Sequence, residues 1–142
     1  MAERAVPEHR WNHFQATIVT ITVDGVQVEA RDLARRLDAT IHVITAWNPG
    51  AERPGDDENR RRNDALRAEL AAVTDPVLEA LGTSTEDAHP EEPHSEESWA
   101  VIGLDLDEAL AFGARYDQDA IFEITATTQE VVPCPVGPGR MT

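Results

Sequence analysis

Hydrophobic positions along the chain switch between a period of two and a period near 3.6. Ala16 to Val23 (ATIVTITV) is β-branched and predicts a strand, and Val26-Gln27-Val28 predicts a second. Asp24-Gly25 between the two runs is a short-range hairpin signal. Ala30 to Leu37 (ARDLARRL), with Leu33 and Leu37 four apart, predicts a short helix. Ile41 to Ala46 (IHVITA) is an apolar run of the length of a buried strand. It stops at Trp47-Asn48-Pro49-Gly50, where Pro49 removes a backbone donor and pushes Asn48 toward an extended conformation.

Glu58 to Val73 predicts the longest helix, capped by Asp56 or Asp57, with early acids suited to its N-terminal dipole. Asp75-Pro76 ends or kinks it. Val77 to Leu81 reads either as a further helical turn or as a short strand. Residues 82–97, acidic and carrying two prolines and two histidines, are expected to form a long surface loop. Ser98 to Gly103 predicts a strand, Asp105 to Tyr116 a helix with Leu106, Leu110 and Gly113 on one face, and Ala120 to Thr125 another strand. Glu130 to Val132 suits an edge strand. No internal repeat is evident. The order predicts one small α/β domain of the α+β kind over residues 14–132, with two main helices packed on a mixed, mostly antiparallel sheet. Residues 1–13 are expected to be a loose arm and residues 133–142 a flexible tail.

Composition narrows the function classes. A chain of 142 residues suits one domain that buries roughly two-thirds of its unfolded surface without staples. The single cysteine, Cys134, allows no intrachain disulfide and points to a reducing, cytoplasmic setting. No apolar run reaches the roughly 18 residues of a membrane span, and Met1-Ala2-Glu3-Arg4 leads into no signal-peptide core. A net charge of −15 argues against binding a nucleic-acid backbone and is compatible with solubility alone or with a basic protein partner. All 12 basic residues are arginine, which removes Schiff-base and P-loop lysine chemistry and leaves arginine forks to hold any anion.

The long helix carries the sharpest signal. At about 100° per residue, Leu66, Leu70 and Val73 form its apolar stripe, and helical steps backward bring Asn63 and Asn59 onto the same face. Burying an unpaired amide costs on the order of 1–3 kcal/mol, so both asparagines need partners. These partners are either backbone groups of the Trp47-Asn48-Pro49 segment, which the amides then fasten to the helix, or a ligand held at the strand end. A helix N-terminus also offers free N–H groups to an anion, and Arg60, Arg61 and Arg62 lie in that turn, although their three directions allow at most one or two to face a pocket.

The segments Ile44-Thr45-Ala46-Trp47-Asn48-Pro49, Glu58-Asn59-Arg60-Arg61-Arg62-Asn63 with Leu66, Glu96-Glu97-Ser98-Trp99, and Gln118-Asp119-Ala120-Ile121-Phe122-Glu123 together resemble a bacterial family known as domain of unknown function 3293. The resemblance covers most of residues 16–125. It implies that Asn48, Asn59, Asn63, Glu97 and Gln118 fall at characteristic polar positions, and it implies no activity. The loop at 84–94 is richer in acid and histidine than the family pattern.

Other residues have a functional and a structural reading. Glu96 and Glu97 precede a strand, so either one carboxylate points inward, as a general base or a contact to a ligand hydroxyl or amino group, or the pair are exposed acids at the strand entrance. His89, His94, Glu91, Glu92, Glu96 and Glu97 match no strong zinc spacing, so no metal site is assigned. His42 suits a hydrogen-bonded structural histidine better than a ligand contact. Trp47 and Trp99 either pack the core or stack on a flat ligand. Cys134 has no catalytic partner in the sequence, and Ser98 lies outside any nucleophile elbow. The favoured expectation is a domain binding a small polar or nucleotide-like ligand, without a cofactor, through Trp47, Asn48, Asn59, Arg62, Asn63 and Gln118, with Glu97 as acid or base. The competing expectation is a non-catalytic acidic interaction module whose asparagines are structural.

Overall fold

The chain begins its sheet with the hairpin that Asp24-Gly25 signals. Strands β1 (Thr17–Val23) and β2 (Val26–Glu29) pair antiparallel, with Val23 opposite Val26. Asp24 and Gly25 take φ of 51° and 79°, the left-handed region required by a two-residue turn that follows the strand twist. The structure, a computed structural model, describes residues 17–47, 55–84 and 95–135. The expected arm at residues 1–13 lies outside the described residues.

Helix α1 (Ala30–Leu37) follows β2 directly. Asp32 in its first turn and Arg35 and Arg36 in its last suit the helix dipole, and Asp38 closes it at φ 49°. Its buried side is Ala30, Leu33 and Ala34, whereas Leu37 stays exposed. Strand β3 (Ile41–Ile44) is buried throughout. Helix α2 (Asp56–Ala71) then leads to β4 (Val77–Ser84) and β5 (Ser95–Ile102), followed by α3 (Leu106–Arg115), β6 (Ala120–Ile124) and β7 (Gln129–Pro133).

The strands form one sheet in the order β2-β1-β4-β5-β3-β6-β7, and every pairing among the described residues is antiparallel. The α+β class holds, with three helices on the sheet among the described residues. One face packs under α1 through Val19, Ile21, Leu33, Ile41, Val43 and Ile124. The other packs under α2 and α3 through Ile44, Leu66, Leu70, Trp99, Val101 and Ile121.

Several boundaries depart from expectation. Helix α2 starts at Asp56 after an N-cap at Gly55 that makes no side-chain bond. Asp56 and Asp57 therefore act on the dipole from the first turn instead of capping. The helix ends at Ala71, so Val73 leaves the apolar stripe and is 58% exposed. Val77 to Leu81 is strand. The expected loop at 82–97 is replaced at both ends by sheet, because Leu81 pairs with Glu97, Gly82 with Glu96 and Thr83 with Ser95. The polar composition of these strand ends hid their alternation. Residues 85–94, with His89, His94, Glu91 and Glu92, lie outside the described residues.

Helix α3 is closed by a capping box. Asp105 accepts the Glu108 N–H at 2.8 Å, and Glu108 Oε1 accepts the Asp105 N–H at 3.2 Å. Its buried side is Ala109, Gly113 and Ala114, with Leu106 and Leu110 half-buried. A side chain at Gly113 would meet Cys134 Sγ at 2.6 Å and Ile121 Cγ2 at 2.8 Å, so the helix reaches the sheet only through glycine there. Cys134 is fully buried and its N–H donates to the Asp119 carbonyl at 2.8 Å. Pro133, Cys134 and Pro135 belong to the packed domain, and residues 136–142 lie outside the described residues.

Candidate functional site

Strand β3 leaves the sheet at Thr45-Ala46-Trp47, and three elements hold that exit. From α2, Asn63 Oδ1 accepts the Ala46 N–H at 2.8 Å, and its Nδ2 donates to the Glu97 carbonyl at 2.9 Å. The Thr45 hydroxyl donates to the same Glu97 carbonyl at 2.6 Å and accepts the Trp47 N–H at 3.0 Å. The indole N–H of Trp99 on β5 donates to the Asn63 main-chain carbonyl at 2.9 Å. One amide therefore joins β3, α2 and β5.

A second clamp comes from Arg62. Its Nε donates to the Ala46 carbonyl at 3.2 Å, and one terminal nitrogen donates to the Tyr116 carbonyl at 2.9 Å. Its guanidinium also lies 5.8 Å from the Tyr116 ring centroid. Tyr116 is the C-cap of α3, so the cation sits where the helix dipole is negative. Gln118 completes the clamp: its Nε2 donates to the Trp47 carbonyl at 3.3 Å and to the Tyr116 carbonyl at 3.2 Å.

Helical spacing places both α2 asparagines inward, as expected. Asn59 and Asn63 are 1% and 4% exposed, in line with the buried Leu66 and Leu70, and Gln118 is 6% exposed. Trp47 is half-buried at the exit. Glu97 fits the exposed-acid alternative: its side chain is exposed, and its carbonyl accepts from Thr45 and Asn63. On β5 it shares a face with Trp99, the face that carries α2. Asn48 lies outside the described residues. Trp99 packs in the core, with Arg67 5.1 Å from its ring centroid. His42 sits toward the other end of β3, where its Nε2–H donates to Glu123 at 2.9 Å and its Nδ1 is buried without a partner among the described residues.

Two parts of the network had no sequence signal. Thr45 is one hydroxyl within an apolar run, and its role depends on a strand 52 residues away. Glu69 accepts hydrogen bonds from Tyr116 Oη and, at 2.6 Å, from Arg115, again across 46 residues or more. The Tyr116 hydroxyl holds Glu69 below the usual carboxylate range, with Arg115 adding to the effect. Burial, then the bond to Glu69, pushes the Tyr116 phenol up to about 12. Among the described residues no group of three or more His, Cys, Asp or Glu is placed to hold a metal ion, and no helix is long and apolar enough to cross a membrane.

These features define a small antiparallel α+β domain whose central strand exit is pinned by side-chain amides and one arginine fork. The chain belongs to the DUF3293 family, proteins of unknown function, whose model matches residues 44–121. That span opens on the last residue of β3 and holds every residue of the pinned exit. No curated protein and no solved structure matches the chain.

Proposed function

We propose that the Thr45-Ala46-Trp47 exit is the fixed wall of a site for a small polar or nucleotide-like ligand. The observation supporting this is the convergence of Asn63, Arg62 and Gln118 on two consecutive residues, Ala46 and Trp47. A binding site needs walls held to within about 0.5 Å, and an outer layer of hydrogen bonds supplies that rigidity. In this reading the amides of Asn63 and Gln118 are supports. The ligand meets Trp47, whose ring offers a flat apolar face, Asn48 directly after it, and the N-terminal turn of α2 around Asn59. The exposed Glu97 carboxylate accepts a ligand hydroxyl or amino group and is the candidate acid or base.

Thermal-shift screening against nucleotides and common metabolites tests this reading. A ligand at about 100 times its Kd adds roughly 2.7 kcal/mol of stability. Amide shifts on binding should centre on residues 45–48 and 97. No stabilisation across the panel, or shifts confined to the far end of the sheet, overturns the proposal. Any reaction found should fall in Glu97→Gln while ligand affinity is retained.

One observation favours a second reading, a non-catalytic acidic interaction module. Both polar atoms of the Asn63 amide are engaged within the protein, as a structural fastening requires. A partner would then be recruited elsewhere on a chain whose net charge is −15.

A further inference from the structure

On the face that carries α2 and α3, α2 packs over β4 and β5, and α3 packs over β3 and β6. The described helix that packs on β1 and β2 is α1, on the opposite face. The register shows what is presented by the part of this face that no described helix covers. Thr20 lies opposite Glu29 on β2 and opposite Leu81 on β4, and Leu81 lies opposite Glu97 on β5. Directly opposed residues share a face, so Glu29, Thr20, Leu81 and Glu97 form one rung across four strands. Glu79, two residues before Leu81, and Ile18, two before Thr20, stand on the same face.

This rung has an apolar middle and acidic ends. Ile18 is 47% exposed, and Leu81 and Thr20 are half-buried. The Thr20 hydroxyl donates to the Leu81 carbonyl at 3.5 Å, which turns its polar atom into the sheet. Glu29, Glu79 and Glu97 are exposed. Three strand spacings separate Glu29 from Glu97, roughly 14 Å. Arg31 reaches Glu29 at 3.5 Å, but both side chains are about half exposed, and such a pair is weak enough to admit a second cation.

We propose that this face docks a basic amphipathic segment of a partner protein, its apolar side chains on Ile18, Thr20 and Leu81 and its arginines or lysines on Glu29, Glu79 and Glu97. The proposal rests on the interaction-module reading and gives that module a location. Charge complementarity selects the occupant. Any segment covering Ile18 and Leu81 must meet three carboxylates, which a cation pairs and an anion opposes. A second copy of this chain brings a further −15 and is repelled.

The test uses the full chain and a labelled synthetic peptide with leucines at its centre and arginines at both ends, read by fluorescence anisotropy. Glu29→Gln with Glu79→Gln should weaken binding roughly fivefold or more. Ile18→Ala should weaken it roughly threefold. Asp64→Asn with Asp107→Asn removes the same charge from exposed sites elsewhere and should leave binding within about twofold. Glu97 is left unchanged because it also belongs to the proposed ligand site. Equal losses in the two double variants would mean attraction by net charge alone, overturning this surface and leaving the module reading in place. No binding to the wild-type chain overturns both. A dimer in sedimentation that Ile18→Ala dissociates would assign the face to a second copy and overturn the proposal.

Discussion

Asn63 Oδ1 accepts the main-chain N–H of Ala46 at 2.8 Å, across 17 residues of sequence. The same amide donates to the Glu97 carbonyl at 2.9 Å, which also accepts the Thr45 hydroxyl, so removing the amide strands one buried main-chain group, the Ala46 N–H. Each unsatisfied buried group costs about 1–3 kcal/mol. Asn63→Ala should therefore lower stability by about 1–3 kcal/mol, read from the urea midpoint at unchanged m-value. Asn63→Asp keeps an acceptor for Ala46 but turns an oxygen toward the Glu97 carbonyl, and should be at least as damaging at neutral pH. A loss below about 1 kcal/mol in both variants would mean that water replaces the amide.

Arg62 spans two carbonyls that belong to different elements. Its Nε reaches Ala46 at 3.2 Å and its terminal nitrogen reaches Tyr116 at 2.9 Å. The guanidinium is a rigid fork, whereas an ammonium is a point donor with no flat face to lay on the Tyr116 ring. Arg62→Lys should lose about 1–2 kcal/mol despite keeping its charge. Amide exchange at Ala46 and Trp47 should quicken in the variant. Equal stability and unchanged exchange would show that charge alone holds the exit.

The chain has one tyrosine, so near-ultraviolet phenolate absorbance reports Tyr116 alone. Its ionisation should fall near 12, with burial the larger cause and the bond to Glu69 the next. Glu69→Gln should bring it down only part of the way toward 10, since the burial remains. The linked stabilities have opposite signs. Glu69 is held below its ordinary value of 4.5, so its contribution is present above that pH and is lost as pH falls through the lowered value. Tyr116 is raised, so its contribution is present below pH 10 and is lost as pH rises toward 12. A transition near 10 in the folded wild-type chain would overturn the assigned pair.

Local chemistry made part of this fold legible and hid another part. Asp24-Gly25 announced its hairpin because a two-residue turn needs residues tolerant of φ > 0, and Asn59 and Asn63 announced their burial because helical spacing puts them in line with Leu66 and Leu70. The outer ends of β4 and β5 carry no such local signal, for the converse reason. Their pairing through Leu81 and Glu97 is a long-range register, and an acidic strand end has the composition of a loop. Sequence marks the Glu97 carboxylate, whereas the bonds that hold the strand exit run to its carbonyl, a group that every residue has and no sequence pattern marks. The Glu69–Tyr116 contact likewise joins residues 47 apart on two helices, a distance over which side-chain identity carries no positional signal.

Gly113 offers a prediction about packing alone. An added methyl group there would lie 2.6 Å from Cys134 Sγ and 2.8 Å from Ile121 Cγ2, both closer than atoms of that size approach. In an ordinary helix interior, glycine to alanine stabilises by about 0.5–1 kcal/mol, because alanine loses less backbone entropy on folding. Here the sign should reverse, since α3 must lift from β6 or Cys134 must leave its rotamer, at about 1–3 kcal/mol. Cys134→Ala removes one of the two clashing atoms, so Gly113→Ala should cost less in a Cys134→Ala background than in the wild type. That coupling should exceed about 0.5 kcal/mol in a double-mutant cycle. A strictly additive pair would mean that Ile121 alone sets the spacing of α3 from the sheet, and Ile121→Ala, which removes the clashing Cγ2, should then carry the rescue instead.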